Sequence, residues 1–318
     1  MKYLINNSTD PYFNMAFDEY CLENLPSGEV FFYLWRNAPS VIIGLNQNAY
    51  GEVNLPYLES HGIKLARRVT GGGAVYHDLQ NMNYTFVGRG VSPEPFVAAL
   101  RELGVEAELT GRNDIYVDGR KVSGYARRVW HDREIVHGTM MYDVDIDTLT
   151  GVLNVGGSKL ESKGIASVRS RVANLRDFLP QFDSLDQVQQ ALHEILAAGD
   201  GEYRLDDAAL AQIRRIADER FATWEWIYGH SKEAQFHRSA KLPCGTVEVS
   251  FSVDGGLIAS IGFGGDFLGG LAVSSLVDML LGVRYDAACV SSVLNSVNVS
   301  SYFDNTSKED LLTLLFGD

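Results

Sequence analysis

The spacing of apolar and polar residues predicts alternating strands and helices along most of the chain. Asp10-Pro11 indicates the start of a helix reaching about Leu25, because an Asp cap and a first-turn Pro suit the free N–H groups there. Strands are predicted at 30–36, 40–44, 64–69, 74–77, 83–87, 106–109, 114–117, 122–130 and 134–142. Further helices are predicted at 55–61, 92–103, 145–153, 184–198 and 206–221.

The strands follow one another as hairpins, with Asp118-Gly119 as a typical turn. This order favours an α+β fold with a mixed, largely antiparallel sheet flanked by helices over a doubly wound parallel sheet. From about Ala234 the pattern restarts with three strands and three short helices. We therefore predict a large domain at residues 1–229 and a small α+β domain at 230–318.

Composition narrows the class of protein. The 318 residues are 46% hydrophobic and 21% charged, which is ordinary for a globular chain. No apolar run approaches the roughly 20 residues of a membrane span, and no apolar stretch follows Ile5 as in a signal peptide. The three cysteines lie far apart, so we expect neither a disulfide framework nor a thiolate zinc site, and we expect a cytoplasmic location.

Charge is unevenly distributed. The net charge of −14 argues against general nucleic-acid binding, yet residues 61–180 carry 16 Lys and Arg against 14 Asp and Glu. This arginine-rich middle indicates a local anionic ligand, although a run of solvated hairpins would have the same composition.

The densest candidate site is Arg67-Arg68 followed closely by Gly71-Gly72-Gly73. Glycines between two strands leave backbone N–H groups open to a ligand, and a guanidinium gives bidentate hydrogen bonds to phosphate. Neighbouring residues of a strand point to opposite faces, so only one of the two arginines should face the turn. A glycine triplet alone is typical of a tight turn, and the flanking arginines favour an anion site as the alternative.

Other candidates are weaker when each is taken alone. Asn113-Asp114, Lys121 and His137-Gly138 could belong to ordinary hairpins, and the basic stretch 159–175 could be a solvated loop or a lid over an anion. No P-loop, no nucleophile elbow and no HExxH motif occurs.

Taken together and in order, these segments resemble the lipoate–protein ligases. The resemblance runs through most of residues 1–230 and is carried by WRN at 35–37, VIIG at 41–44, ARRVTGGGAVYHD at 66–78, GRND at 111–114, RKVSG at 120–124, HGT at 137–139 and KGIASVRSRVANL at 163–175. The small domain is similar in layout to the accessory domain of the bacterial ligases. Departures are Thr70 where serine is common, Gln80 in place of a glycine, and Tyr125 where a smaller residue is typical.

The resemblance implies a biotin/lipoate ligase-like catalytic domain and a two-step reaction. Lipoate and ATP, with Mg²⁺, would give lipoyl-adenylate, and the lipoyl group would then pass to a carrier lysine. The carriers would be apo lipoyl domains of 2-oxoacid dehydrogenase complexes, the glycine cleavage H protein, or both. The resemblance implies no tightly bound cofactor, no membrane and no nucleic-acid partner.

Site roles also follow from the resemblance, position by position. Lys121 would be the catalytic residue, and Asp114 would contact Mg²⁺. ATP and the adenylate would contact Arg68, Gly73, Ala74, Val75, Tyr76, Asn113, Asp114 and Lys121. Lipoate would contact Gly72, Gly73, His77, Lys121, His137 and Gly138.

Two alternatives stay open. A transferase of the same fold would move an octanoyl or lipoyl group without ATP, and the bacterial type that forms an acyl-enzyme needs a reactive cysteine. Cys21 is the only cysteine of the large domain, and it lies on the apolar side of the first helix. A non-catalytic regulator binding lipoate or nucleotide is the other alternative, although binding alone would not require Lys121, Arg68 and the whole glycine turn.

Overall fold

The structure is a computed structural model that describes residues 1–110, 113–153, 171–199, 201–231 and 234–317. The chain forms two compact units, Met1–Gln47 with Glu52–Thr223 and Asn48–Gly51 with Trp224–Asp318. None of the helices in these ranges combines the length and the apolar character needed to cross a membrane.

Strands of the large unit form two sheets. They are β1 (Lys2–Tyr3), β2 (Phe31–Arg36), β3 (Ser40–Ile43), β4 (Lys64–Arg67), β5 (Val75–His77), β6 (Asn81–Gly88), β7 (Ala107–Thr110), β8 (Asp114–Val117), β9 (Arg120–Trp130) and β10 (Arg133–Met141). Seven of them form a sheet in the order β1-β2-β6-β10-β9-β8-β7, in which only the β1–β2 pair is parallel. The other sheet has the order β4-β3-β5. The predicted mixed, largely antiparallel architecture is confirmed.

The helices are α1 (Pro11–Asn24), α2 (Ala49–Glu52), α3 (Leu55–Ser60), α4 (Glu94–Glu102), α5 (Ile146–Gly151), α6 (Leu185–Leu196), α7 (Asp207–Ile216), α8 (Trp224–Ile227), α9 (Ser274–Leu280), α10 (Ala287–Asn295) and α11 (Lys308–Phe316). The helix predicted at 206–221 is regular only to Ile216 and ends in a π-helical turn at Ala217–Phe221. The short elements β1, α2 and α8 have too few residues for a periodic pattern and were not predicted.

The two faces of the seven-stranded sheet differ in chemistry. On one face, Phe32 and Tyr84 join the main apolar core, where Tyr84 stacks on Phe96 of α4 with ring centroids 4.0 Å apart. Because strand residues alternate between faces, Tyr33, Trp35 and Thr85 point the other way. That second face is the polar one, and it carries the candidate site.

Helix α1 covers part of the polar face and is buried on more sides than its apolar spacing predicts. Its cap is as expected, since Asp10 accepts a hydrogen bond from the Tyr12 N–H. However, Asn14, Asp18 and Glu19 are buried along with the apolar residues. Buried polar groups need hydrogen-bond partners. The hydrogen bonds of Asn14 and Asp18 connect α1 to residues of the candidate site.

The small unit has an antiparallel sheet of β11 (Ala234–Leu242), β12 (Gly245–Asp254) and β13 (Leu257–Gly265), with α9, α10 and α11 following in sequence. The two units divide between Thr223 and Trp224. Trp224 belongs to the small unit because its ring stacks near Tyr228 and lies 4.3 Å from the Arg284 guanidinium.

Candidate active site

Arg68 follows β4 directly and forms hydrogen bonds to the segment Gly71-Gly72-Gly73, which we call the glycine loop. Its Nη2 donates to the carbonyl oxygens of Gly71 (2.7 Å) and Gly73 (2.9 Å), its Nε donates to Thr70 Oγ1 (3.0 Å), and its Nη1 donates to Ile42 O (3.0 Å). The sequence led us to expect an open guanidinium for an anion. Instead, protein oxygens accept hydrogen bonds from all three of its nitrogens. The residue is only 6% exposed.

Arg67 points the other way, as the strand geometry predicts. Its Nη1 donates to the carbonyl oxygens of Gly44, Leu45 and Gln47. Burial lowers the pKa of each arginine to about 10, so both stay charged at neutral pH. The pair therefore fixes two loops of the site by satisfying their carbonyl groups.

The glycine loop needs glycine for a specific reason at Gly72. Its φ is +98°, in the region that side chains disfavour, and an added Cβ would lie 2.8 Å from Arg68 Nη2. The close approach of the loop to Arg68 therefore depends on this residue.

Lys121 lies across the polar face from the glycine loop, at the start of β9. Its Nζ is 2.7 Å from Asp114 Oδ1 on β8, and a Cβ built on Gly124 would lie 3.0 Å from Nζ. The ammonium thus lies over Gly124, with its side chain 36% exposed. The Lys121 carbonyl accepts a hydrogen bond from Ala173 N, so the last residues of the basic stretch 159–175 run beside it. Residues 159–170 of that stretch lie outside the described ranges, as do Gly111 and Arg112.

Asn113 precedes β8 and supports the same region. Its Nδ2 donates to Tyr125 O (2.9 Å), and Tyr125 N donates back to Asn113 O (2.9 Å). The Asn113 side chain is therefore held against β9, close to Lys121.

His137 connects the glycine loop to α1 through buried hydrogen bonds. Its Nδ1 donates to Asp18 Oδ2 (2.6 Å), and its Nε2 is hydrogen-bonded to the Thr70 hydroxyl (2.7 Å). Asp18 is 1% exposed, and its Oδ1 also accepts from Tyr33 Oη (2.5 Å) and Thr85 Oγ1 (3.3 Å). Asp18 was not predicted as part of the site, because its spacing in the sequence marks it only as a helical residue.

His77 ends β5 and is held by a second buried network. Asn37 Nδ2 donates to its Nδ1 (2.9 Å), and its ring lies edge-on to Trp35, 6.3 Å between centroids. Burial, followed by the nearby charge of Arg68 and the ring of His137, lowers the pKa of His77 to about 3. It is therefore neutral at physiological pH.

These side chains enclose a cavity in the large unit. The predicted residues that line it are Arg68, Gly72, Gly73, Ala74, Val75, His77, Asn113, Lys121, His137 and Gly138. Gly138 lines it through its backbone, since a Cβ there would lie 2.4 Å from the Tyr84 hydroxyl on the far face. Lys121 and the glycine loop thus border the same space.

Two predicted site residues do not line the cavity. Tyr76 lies between Val75 and His77, and strand alternation turns its side chain to the other face, where burial raises its pKa to about 12. Asp114 lies behind Lys121 and reaches the site only through their ion pair. Tyr125, which the sequence analysis noted as a departure, also lines the cavity, and the lining residues that sequence reasoning missed include Met15, Trp35, Ile42, Asn83 and Thr139. Trp35 and Ile42 lie within the WRN and VIIG segments, so those segments were the available signal.

The described residues that line the cavity include no carboxylate, and Asp114 is connected to it through the ion pair with Lys121. The described residues include no group of three or more His, Cys, Asp and Glu side chains arranged to hold a metal. Mg²⁺ in nucleotide sites needs only one or two carboxylates beside phosphate oxygens and water. Asp114 fits that limited role.

A more open groove along Leu4–Thr9 is a weaker candidate for the active site than this cavity. Its charged residues are already paired, with Arg36 donating to Asp186 (2.6 Å) and Gln189 (2.9 Å). We therefore take the cavity beside the glycine loop as the active-site candidate.

Comparison with known proteins places this cavity in a family. Residues 10–197 match the model of the lipoyl protein ligase A/B catalytic domain, and residues 231–315 match that of the bacterial lipoate protein ligase C-terminus. Lipoate-protein ligase LplJ of Bacillus subtilis is 40% identical over 98% of both chains. Lipoate–protein ligase 1 of Staphylococcus aureus is 38% identical over 99% of this chain and 100% of its own.

Solved structures agree. A bipartite lipoate protein ligase from Thermoplasma acidophilum, studied with its E2 lipoyl domain, has a TM-score of 0.66 at 32% identity, covering 72% of this chain and 96% of its own. A putative lipoate protein ligase from the same organism, with bound lipoic acid, has a TM-score of 0.62 at 30% identity, and a lipoate-protein ligase A bound with ATP has 0.61 at 31%. Both of these cover 72% of this chain and 98% of their own.

Fold, cavity and sequence matches together define a lipoyl protein ligase catalytic domain joined to a bacterial ligase C-terminal domain. The chain belongs to the lipoate–protein ligase family. The resemblance carried by the glycine-loop, Lys121 and His137 segments is confirmed.

Proposed function

We propose that this protein is an ATP-dependent lipoate–protein ligase that forms lipoyl-AMP and transfers the lipoyl group to a carrier lysine. The observation that carries the proposal is the cavity that Lys121 and the glycine loop share. Relatives with the same fold bind lipoic acid in one structure and ATP in another, which supports both substrates.

In the first step, a lipoate carboxylate oxygen attacks the α-phosphorus of ATP and pyrophosphate leaves. The backbone of Gly73, Ala74 and Val75, which line the cavity, would bind the nucleotide, and Arg68 would hold the loop in place through its hydrogen bonds to the loop carbonyl groups. Asp114 is the residue we propose to hold Mg²⁺ together with the phosphates of ATP. Its ion pair with Lys121 also keeps that ammonium over the cavity.

In the second step, the neutral amine of the carrier lysine attacks the acyl carbon and AMP leaves. Negative charge grows on the carbonyl oxygen in the tetrahedral intermediate. Lys121, whose ammonium lies over Gly124, is the cation that we propose to stabilise that oxygen. A preorganised group of this kind lowers such a barrier by about 3–4 kcal/mol.

An acyl-enzyme transferase fits the structure less well. Cys21 is fully buried, and burial raises the pKa of its thiol well above the ordinary value. A cysteine in that setting supplies neither the thiolate nor the access that acyl transfer needs. This favours activation by ATP.

Carriers are proposed from the family. One relative was studied with its E2 lipoyl domain, which supports apo lipoyl domains of 2-oxoacid dehydrogenase complexes as acceptors. We include the glycine cleavage H protein as a second possible acceptor, because it presents the same kind of lysine.

The test is ATP–pyrophosphate exchange with and without lipoate. We expect exchange that requires lipoate. A protein that shows none, yet modifies a carrier from an acylated donor, would be a transferase, and one that binds lipoate or nucleotide but does neither would be a regulator.

A further inference from the structure

Glu19 of α1 is a buried carboxylate that has no part in the proposed mechanism. It is 4% exposed and directly follows Asp18 in the helix. Both of its carboxylate oxygens accept hydrogen bonds from Arg220 Nη1, each 2.8 Å long. Burial raises the pKa of Glu19, and the charge and hydrogen bonds of Arg220 act in the opposite direction. Because a buried carboxylate is unfavourable without a cation, Arg220 offsets the cost of burying Glu19.

Arg220 lies near the end of the large unit, in the π-helical turn Ala217–Phe221. The unit ends at Thr223. Phe221 is fully buried, and its ring centroid is 5.3 Å from the Arg220 guanidinium. The arginine side chain is 40% exposed, although the carboxylate that it binds is buried. Turns of this kind occur often at functional sites. Arg220 thus connects the end of the large unit to α1.

A first route from Glu19 to the glycine loop runs through its neighbour in the helix. Asp18 accepts a hydrogen bond from His137 (2.6 Å), whose other ring nitrogen is hydrogen-bonded to Thr70 Oγ1 (2.7 Å). Thr70 directly precedes the glycine loop. Because Asp18 and Glu19 are consecutive residues of one helix, a displacement of the Glu19 backbone would also displace Asp18. The start of the loop would then lose part of its support.

A second route runs through Arg128 of β9. Its positive charge also acts on Glu19 and lowers the pKa of that carboxyl. The Nη1 of Arg128 lies 3.5 Å from the carbonyl oxygen of Val69, the residue before Thr70. Loss of Arg220 would leave Arg128 as the cation that acts on Glu19, and their attraction would draw Arg128 away from Val69. Both routes therefore meet at the start of the glycine loop.

We propose that Arg220 is a positioning residue for ATP, because by neutralising Glu19 it keeps α1 and Arg128 where they support the glycine loop. The proposal rests on the proposed function, since it takes the glycine loop as part of the nucleotide site. Arg220 is not among the described residues that line the cavity. Its loss should therefore weaken ATP binding through the loop and leave the chemical step nearly unchanged.

The experiment measures kcat and KM for ATP in lipoate-dependent ATP–pyrophosphate exchange. We expect Arg220→Gln to raise KM by about fivefold with kcat within about twofold of the wild type. Arg220→Lys should keep KM within about twofold, because one nitrogen binds both Glu19 oxygens and an ammonium can take its place.

The matched control is Arg214→Gln, which removes an exposed hydrogen bond from α7 to Asp10 (2.9 Å) at the start of α1. It should leave KM for ATP at the wild-type value. An unchanged KM in folded Arg220→Gln, or an equal rise in Arg214→Gln, would overturn the proposal. Absence of exchange in the wild type would count against the proposed function instead.

A second variant and a readout without activity complete the test. Adding Glu19→Gln to Arg220→Gln removes the unpaired buried charge, so KM for ATP should fall below that of Arg220→Gln but stay above that of the wild type. Hydrogen exchange of the Thr70–Gly73 amides in the ligand-free protein should be about fivefold faster in Arg220→Gln and unchanged in Arg214→Gln. If Arg220→Gln does not fold, the double variant replaces it in both measurements. Wild-type exchange rates at these amides in the folded variants would contradict the proposal.

Discussion

At the residue scale, Lys121 is a cation whose partner can change during the reaction. Asp114 holds its ammonium at 2.7 Å, and the side chain is partly exposed, so the ion pair is easily exchanged. A phosphate or a developing oxyanion would offer a stronger acceptor in the same position. Asp114 thus positions the lysine without fixing it permanently.

We expect Lys121→Ala to fold normally and to lose at least tenfold in kcat/KM for carrier modification, about 1.4 kcal/mol or more of transition-state stabilisation. The measurement is lipoate-dependent exchange together with carrier modification. Lys64→Ala is the matched control, because Lys64 is half-exposed in a loose pair with Asp10 (3.4 Å). Normal turnover in Lys121→Ala would remove this residue from the mechanism.

His77 should make the stability of the protein depend on pH. Its pKa is about 3 in the folded protein and about 6.5 when unfolded, so the unfolded chain binds the proton first as pH falls. The stabilisation is complete above about pH 6.5 and is lost progressively toward pH 3. Between pH 7 and 5.5 this residue alone should cost about 1.3 kcal/mol.

Denaturant unfolding of wild type and His77→Gln at these two pH values measures that contribution. The variant does not titrate there, so its free energy of unfolding should fall by about 1.3 kcal/mol less than that of the wild type. Identical pH dependence in the two proteins would show that His77 is not neutral and buried in solution.

At the scale of elements, α1 holds the glycine loop in place. Asp18 on α1, His137 on β10 and Thr70 before the loop form a continuous chain of buried hydrogen bonds, which ends at Arg68 Nε. A shift of the helix would therefore displace Gly71 and Gly73, because the Arg68 guanidinium binds their carbonyl groups.

We expect Asp18→Asn to lower the free energy of unfolding by about 3 kcal/mol, because an amide cannot accept all three hydrogen bonds in this buried place. It should also raise KM for ATP through a less ordered loop. Asp186→Asn breaks an exposed pair with Arg36 and should cost under about 1 kcal/mol. Equal effects of the two substitutions on the measured unfolding free energy would contradict the role of Asp18.

The elements themselves could be predicted from the sequence, but their contacts could not. Strand alternation correctly predicted that Arg67 and Arg68 point to opposite faces, because this prediction depends only on neighbouring residues. The carbonyl partner of Arg68 at Ile42 is 26 positions away, and His137 is 119 positions from Asp18. Asn83 was missed for the same reason, because only the pairing of β2, β6 and β10 brings it beside Trp35 and the cavity.

At the scale of the whole molecule, we propose that the two units fold as separate domains. The sequence predicted a boundary at 229–230, and the structure divides the chain at 223–224. The difference is the segment Trp224–Gly229, which the sequence pattern assigned to the end of the large domain and which belongs to the small unit in the structure.

A chain that ends at Thr223 should therefore retain the cavity and unfold in one cooperative transition. The measurement is denaturant unfolding followed by circular dichroism, with calorimetric binding of lipoate as a second readout. A chain ending at Gly229 serves as the comparison, and its stability should lie within about 1 kcal/mol. A broad transition without lipoate binding in both chains would show that the large unit does not fold alone.

The central claim is that one cavity activates lipoate with ATP and passes it to a carrier. Mass spectrometry of an apo lipoyl domain incubated with this protein, lipoate, ATP and Mg²⁺ tests it most directly. The account predicts a mass gain of one lipoyl group on the carrier lysine, absent without ATP and strongly reduced with Lys121→Ala. No gain with the complete mixture, or the same gain without ATP, would contradict it.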